Sequence, residues 1–190
     1  MMSAQTEPWP KPHRLTVDEY YRMAEAGVLS PDDRTELIEG EIIDMPPIGP
    51  PHASAVVLLN KRLVRTVGDA VEVRVQLPVR LMPRSEPQPD FALVVAKPHS
   101  YRRMHPVAGD VLLLIEVSDS TLRYDLDVKV RLYAKHRVPE YWVVDLVDNR
   151  VWRHRRPGGQ QYAHRDEIRE GTLELPVDAG GIAVAELFTP

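Results

Sequence analysis

Three short, almost purely apolar runs in the middle of the chain constrain its fold most. They cover residues 91–95, 111–117 and 141–144. Runs of this length without polar alternation are typical of strands that are covered on both faces of a sheet. Residues 120–137, between the last two runs, show the apolar spacing of a helix, with Ser120 or Thr121 as its N-cap. A strand, a helix and a strand in this order predict two parallel strands joined by a crossover helix, and therefore an α/β fold.

Further patterns predict additions on the N-terminal side of that sheet. Thr16 is followed three residues later by a glutamate, which is the spacing of a capping box, and predicts a helix over residues 16–26. Residues 34–45 contain two short apolar pairs around Glu39-Gly40 and predict a β-hairpin.

Three more elements follow from the pattern. Residues 52–67 have helical spacing, beginning at His52. Residues 71–81 alternate strictly between apolar and other residues, which predicts a strand with one face in water that ends or bends at Pro78. Residues 157–159 lie between apolar and aromatic runs and predict a second hairpin.

Length and composition favour one domain. With 190 residues the chain has the size of a single domain, and three prolines among residues 1–13 predict an extended tail before a domain of residues 14–190. No apolar run approaches the roughly 20 residues that cross a bilayer, so we expect a cytoplasmic protein without membrane contact. The chain has no cysteine, which excludes disulfides, zinc-thiolate sites and thiol nucleophiles.

The charge is distributed unevenly. The net charge is −4, so no overall positive field attracts nucleic acid. Residues 123–156, however, contain nine basic and five acidic residues. Arg153, Arg155 and Arg156 are therefore the candidates for nucleic-acid contact, although such a cluster is also common on a solvated hairpin face.

Three charged residues stand where the sheet should be apolar. Asp90 opens one central strand, Glu116 lies near the end of another, and Lys129 is on the inward edge of the crossover helix. Two carboxylates that converge at strand ends repel each other unless a cation neutralises them, and Mg²⁺ suits a few carboxylates plus water, with Mn²⁺ as a substitute. Taken singly, each residue has a simpler explanation. Asp90 would be a turn residue, Glu116 a strand-end residue in solvent, and Lys129 a surface lysine paired with Asp125.

An ordered series of motifs accompanies these residues. It consists of RTELIEGEIIDMPP at residues 34–47, PH at 51–52, QPD at 88–90, LLLIEVSDST at 112–121 and DLDVKVRLYAKHRVPEYWVVD at 125–145. The series resembles the Uma-type family of proposed restriction endonucleases, a branch of the PD-(D/E)XK nuclease superfamily, over residues 14–188. The resemblance implies a restriction-endonuclease-like central mixed β-sheet flanked by helices, with a magnesium-dependent phosphodiesterase site.

The resemblance also assigns roles to individual residues. Asp90 matches the aspartate of the PD motif, Glu116 matches the following acid, and Lys129 matches a lysine that has moved from position 118, which is a serine here. Glu41 matches a second acidic position of the hairpin motif. Two departures, Asp119 in place of proline and Ala53 in place of glutamine, remove no expected ligand.

The expected chemistry is hydrolysis of a phosphodiester by water. Asp90 and Glu116, with the carbonyl of Val117 and with Glu41 directly or through water, would hold the metal. Lys129 would orient the water or stabilise charge on phosphorus, and His52 would contact a metal water or a phosphate. The partner is then nucleic acid, DNA first, and a homodimer is left open. Two alternatives remain: a silent nuclease fold that serves binding or assembly, and a phosphodiesterase for another substrate.

Overall fold

A six-stranded sheet forms the centre of the molecule. The structure, a computed structural model, describes residues 10–30, 32–176 and 180–188. The strand order is β3-β4-β5-β6-β7-β8, with β3 (Val71–Val75), β4 (Phe91–Val95), β5 (Val111–Ser118), β6 (Glu140–Asp145), β7 (Arg150–Gly158) and β8 (Gln161–Ile168). The pair β5 and β6 is parallel, and the other neighbours in this sheet are antiparallel. The predicted mixed α/β sheet with a parallel pair is confirmed.

The N-terminal additions are also present. Helix α1 (Val17–Glu25) begins after Thr16, whose side chain completes the capping box. The hairpin of β1 (Thr35–Ile38) and β2 (Glu41–Asp44) turns through Glu39 and Gly40, both with positive φ. Positive φ at both turn residues matches the right-handed twist of the two strands.

Helices cover both faces of the sheet. Helix α2 (Pro50–Thr66) packs on one face, through Ala55, Val56, Leu59 and Leu63 against alternate residues of β4 and β5. The crossover helix packs on the other face, where Leu132 and Tyr133 contact the intervening residues of the same strands. The central strands are therefore buried on both sides, as their continuous apolar character requires.

The crossover helix is not uniform. It consists of α3 (Leu122–Tyr124), a π-helical turn (Asp125–Lys129) and α4 (Val130–Lys135). In the π turn the amide of Val130 donates to the carbonyl of Asp125, which inserts one residue into the α-helical repeat. Asp125 and Lys129 are both buried there. Such turns concentrate at functional sites.

The structure differs from the sequence pattern at several points. Strand β3 ends at Val75, before the predicted end or bend at Pro78, because Gln76 adopts a positive φ of 50°. Its predicted wet face is covered, since Arg74 is buried and lies against the ring of Tyr101. A hairpin of β9 (Thr172–Glu174) and β10 (Gly181–Ala183) adds Leu173 and Ile182 to the α2 face and was not predicted.

Two predictions concern the whole chain. Residues 1–9 of the predicted tail lie outside the described residues, so the division into a tail and one domain stays a prediction. Among the helices in the described ranges, none is both long and apolar enough to cross a membrane.

A buried histidine in the sheet gives the fold a predicted acid sensitivity. His154 on β7 is 3% exposed, and its ring is stacked on Tyr141 with centroids 5.6 Å apart. Burial, together with the charge of Arg165, lowers the pKa of His154 from 6.5 to about 4. Between these two values the unfolded chain binds more protons than the folded one, so stability falls as the pH falls.

Because of His154, we expect the free energy of unfolding to fall by about 2 kcal/mol as the pH is lowered from roughly 7.5 to 4.5. His154→Phe, which keeps an aromatic ring, should lose this part of the pH dependence in urea unfolding. His164→Phe, on the exposed part of β8, is the matched control and should retain it. An equal acid response in wild type and His154→Phe would contradict the assignment.

Candidate active site

Asp90 and Glu116 meet because their strands run in opposite directions. The pairing of Phe91 with Ile115 places the start of β4 beside the end of β5. One carboxylate oxygen of Asp90 accepts from the amide of Val117 at 2.8 Å, and the amide of Asp90 donates to Glu116 at 3.3 Å. The residues are 7% and 4% exposed. Two acids therefore share one recess at the sheet end.

The third predicted residue, Lys129, reaches this recess from the π turn. Its ammonium lies 3.0 Å from a carboxylate oxygen of Glu116 and 3.3 Å from one of Glu36. The hydroxyl of Tyr133 donates to the same oxygen of Glu116 at 2.9 Å. Lys129 is only 5% exposed, so it is not the surface lysine of the simpler explanation.

Burial dominates the electrostatics of this cluster. It raises the pKa of Glu116 to about 8, while the ammonium of Lys129 opposes the shift. Burial also lowers the pKa of Lys129, but the carboxyls of Glu116, Glu36 and Asp125 outweigh it and hold that pKa well above its ordinary value. The recess thus holds more carboxyl groups than cations, and a further cation would stabilise it.

His52 enters from the opposite face of the sheet. It lies in the first turn of α2, where Pro50 and Pro51 occupy the initial positions. Its Nδ1 is 2.9 Å from the carbonyl of Val117, and its Nε2 is 3.0 Å from the second carboxylate oxygen of Asp90. The hydrogen bond with Asp90 raises the pKa of His52. The side-chain amide of Gln76 donates to the same Asp90 oxygen at 3.1 Å.

These residues lie in a cavity of about 390 Å³. Its acidic lining consists of Glu36, Asp44, Asp90, Glu116, Asp119 and Asp125. Most of its apolar lining comes from the hairpin and the segment after it, through Ile43, Met45, Pro46, Pro47 and Ile48. The cavity has the size of a small-molecule or cofactor site, for which roughly 300 to 1,000 Å³ is usual.

Comparison with known proteins assigns the chain to a family. The sequence profile of the Uma2 family, whose description is "Putative restriction endonuclease", matches residues 17–183. The chain belongs to the Uma2 family. The resemblance drawn from the motifs is therefore confirmed.

A solved structure shares the fold of this Uma2-family chain. It is described as a putative nuclease belonging to DUF820 from Anabaena variabilis ATCC 29413. The two chains superpose with a TM-score of 0.68 at 18% sequence identity, over 92% of this chain and 97% of the other. The nuclease fold implied by the motifs is thus confirmed. Curated proteins yield no match.

The hairpin contributes a different acid from the one that the Uma2 motif suggested. Glu41 directly follows the turn; its side chain is 59% exposed, and it forms an ion pair with Arg14 outside the cavity. Glu36, at the other end of the hairpin, is 3% exposed. It accepts from the amide of Gln88 at 3.2 Å in addition to contacting Lys129. Glu36 is therefore the hairpin carboxylate at this site, and the assignment of Glu41 to the metal set is corrected.

Sequence reasoning missed Glu36 because the hairpin contains three glutamates. Only the packing of β1, whose four residues are all buried, distinguishes Glu36 from the other two. A glutamate within the apolar sequence TELI was the available signal, since an unpaired buried carboxylate is costly.

The three arginines proposed for nucleic-acid contact lie elsewhere. Arg153 and Arg155 on β7 share the carboxylate of Asp166 on β8, at 3.3 and 2.9 Å. Arg156 lies 3.1 Å from the ring of His164. None of the three lines the cavity. Their charge is partly neutralised across the hairpin, and their role in binding stays a prediction.

The donor set limits which metal would fit. Within the part of the chain that the structure describes, no group of three or more histidine, aspartate or glutamate side chains is arranged to hold a metal ion. Asp90 and Glu116 are close together, and Val117 contacts Asp90 through its amide and His52 through its carbonyl. Mg²⁺ accepts such a set, because it retains several waters, whereas a structural zinc site needs four protein ligands.

Proposed function

We propose that this Uma2-family protein is a magnesium-dependent endonuclease that hydrolyses phosphodiester bonds of nucleic acid, DNA in the first place. One observation carries the proposal. Asp90 directly precedes β4, Glu116 belongs to β5 and Lys129 to the π turn, and the three meet in a buried cluster on the floor of an open cavity. Structural packing gives no reason to gather these charges, since each costs free energy when buried.

Each residue then has a distinct task. Asp90, Glu116 and the carbonyl of Val117 would hold the ion, which when bound polarises the phosphoryl group and lowers the pKa of a water molecule. Lys129 stabilises negative charge that develops on the phosphate, because its ammonium is fixed beside Glu116. His52 contacts the carbonyl of Val117 and the carboxylate of Asp90 through its two ring nitrogens, so it orients two of the proposed ligands and has no ring nitrogen free for a phosphate or a water.

Glu36 and Tyr133 hold these groups in place. Glu36 contacts both Lys129 and the backbone of the QPD motif, so it links the hairpin to the catalytic cluster. Tyr133 donates to Glu116 and fixes the orientation of that carboxylate. The site is therefore built on packed elements on three sides, which favours a preorganised geometry.

A cleavage assay tests the proposal directly. Plasmid and single-stranded DNA are incubated with Mg²⁺ or Mn²⁺, with EDTA as the metal-free control. We expect cleavage that EDTA abolishes and that Asp90→Ala lowers at least about 10²-fold. Metal-independent cleavage, or equal cleavage by Asp90→Ala, would contradict the assignment.

A non-catalytic role is the second candidate. It is favoured by the net charge of −4 and by the acidic lining of the cavity, neither of which attracts long nucleic acid. Absence of DNA cleavage by the folded protein under every metal condition would support it. A cytoplasmic location and a homodimer remain predictions.

A further inference from the structure

The two sides of the cavity differ in chemistry. The floor carries the catalytic charges, whereas one side is an apolar wall formed by Ile43 and residues 45–48. Ile48 is 44% exposed and belongs to neither of the two hydrophobic cores. A catalytic cavity for a charged phosphate alone needs no such wall, so the apolar wall indicates that the ligand also carries an apolar or aromatic face.

The lining also lacks the cations that duplex DNA needs. Among the described residues that line the cavity, one arginine and one lysine are present, Arg34 and Lys129. Six of the lining residues are acidic. Lys129 is held by Glu116 and Glu36, and Arg34 donates to the carbonyl of Pro46. Duplex binding depends on many neutralised phosphates. This cavity can accept a phosphate at the metal site but not a row of phosphates.

The depth of the site adds a geometric restriction. Asp90 and Glu116 are 7% and 4% exposed, so a phosphate must descend into the cavity to reach them. In a duplex each phosphate is tied to a base that is stacked and paired. A base can therefore lie on the apolar wall, beside a phosphate on the floor, only when its nucleotide leaves the stack, which costs least in a single strand.

One polar group in the cavity has no partner. Tyr124 lines the cavity, and its hydroxyl is buried and makes no hydrogen bond with any described residue. Buried polar groups are normally paired, so a small movement of the Tyr124 side chain toward the cavity would let a ligand acceptor pair with this hydroxyl. A base or sugar carries suitable acceptors, whereas a purely apolar ligand does not.

We propose that the substrate is a single strand, one nucleotide of which lies unstacked in the cavity with its base on the apolar wall and its phosphate toward Asp90 and Glu116. This inference rests on the proposed nuclease function and names the substrate class. Contact of a base with an apolar or aromatic surface is largely independent of sequence, because every base has a flat face. The preference is then for strandedness and not for a base sequence.

Binding and cleavage are measured in separate assays, so that a failure of the single-strand inference can be distinguished from a failure of the proposed nuclease function. A fluorescent single-stranded oligonucleotide and its blunt duplex are titrated by anisotropy with Ca²⁺ in place of Mg²⁺, and cleavage of both is followed with Mg²⁺. We expect at least about tenfold tighter binding of the single strand. Ile48→Asp should weaken that binding about tenfold, because it replaces an apolar contact with the base by a carboxylate.

Two variants control for folding and for charge. Ile48→Met keeps an apolar wall and should bind like wild type. Val147→Asp adds the same charge at an exposed apolar residue outside the cavity, and it should also bind like wild type. Thermal unfolding checks that all three variants fold.

The outcomes separate clearly. Equal affinity for the single strand and the duplex, or no effect of Ile48→Asp, overturns the inference. If both the single strand and the duplex are then cleaved in the presence of metal, the proposed nuclease function still holds. Binding of the single strand that depends on Ile48 without cleavage supports the inference and contradicts catalysis.

Discussion

Lys129→Met is expected to lower the free energy of unfolding by about 3 to 5 kcal/mol and turnover by at least about 10²-fold. The ammonium is the cation that contacts both Glu36 and Glu116, and the substitution leaves two buried carboxyl groups without it. Loss of one partner of a buried ion pair is costly, because the remaining charge stays desolvated. The same ammonium lies 3.0 Å from Glu116, so it is close to a phosphate that the proposed metal site would hold.

The stability and activity effects can be separated. Lys129→Met combined with Glu36→Gln removes one of the unpaired carboxylates and should recover at least about 1 kcal/mol, while turnover stays low. Lys135→Met is the matched control on the same helix: its side chain is 47% exposed and pairs with Glu39. It should change stability by no more than about 0.5 kcal/mol. Full activity in the folded double variant would show that Lys129 only balances charge.

Much of the fold follows from the residue pattern, because the pattern identifies the core strands and the helix that connects two of them. The runs that became β4, β5 and β6 are too apolar to face water, and the helical spacing between the last two permits a parallel pair. The capping box at Thr16 and the turn at Glu39 are local signals that do not depend on tertiary contacts. The hairpin of β9 and β10 has only three residues in each strand, too few for a periodic signal.

The site residues could be predicted where a charged residue interrupts an apolar pattern. They could not be predicted where the backbone geometry determines which side chain reaches the site. Asp90, Glu116 and Lys129 interrupt apolar patterns, so they were visible in the sequence. The π turn was not visible, because it changes hydrogen bonding without changing residue type. Whether Glu41 or Glu36 belongs to the site depends on which end of the hairpin packs against the sheet. Gln76 donates to Asp90 from a backbone with positive φ, which its residue type does not reveal.

A second large effect is expected for the metal itself. Calorimetric titration with Mn²⁺ should show one binding event that Asp90→Asn or Glu116→Gln weakens at least about 10²-fold, since changes to groups that merely support a ligand already cost about 10 to 10²-fold. Both carboxylates belong to the same recess, and the amide of Asp90 is hydrogen-bonded to Glu116. Loss of either one leaves a single carboxylate and a carbonyl, which is too few for stable retention of the ion.

Two control variants distinguish ligands from general charge. Glu41→Gln removes an exposed acid that is bound to Arg14 outside the cavity, and it should leave Mn²⁺ affinity unchanged. Asp119→Asn removes an acid from the cavity lining itself and should weaken binding by less than about threefold, through screened charge alone. If Asp119→Asn weakened binding as much as Asp90→Asn, the cavity would attract cations only by its net charge. If Glu41→Gln abolished binding, the hairpin acid at the metal would be Glu41 after all, since only a direct ligand explains a loss of that size from an exposed residue.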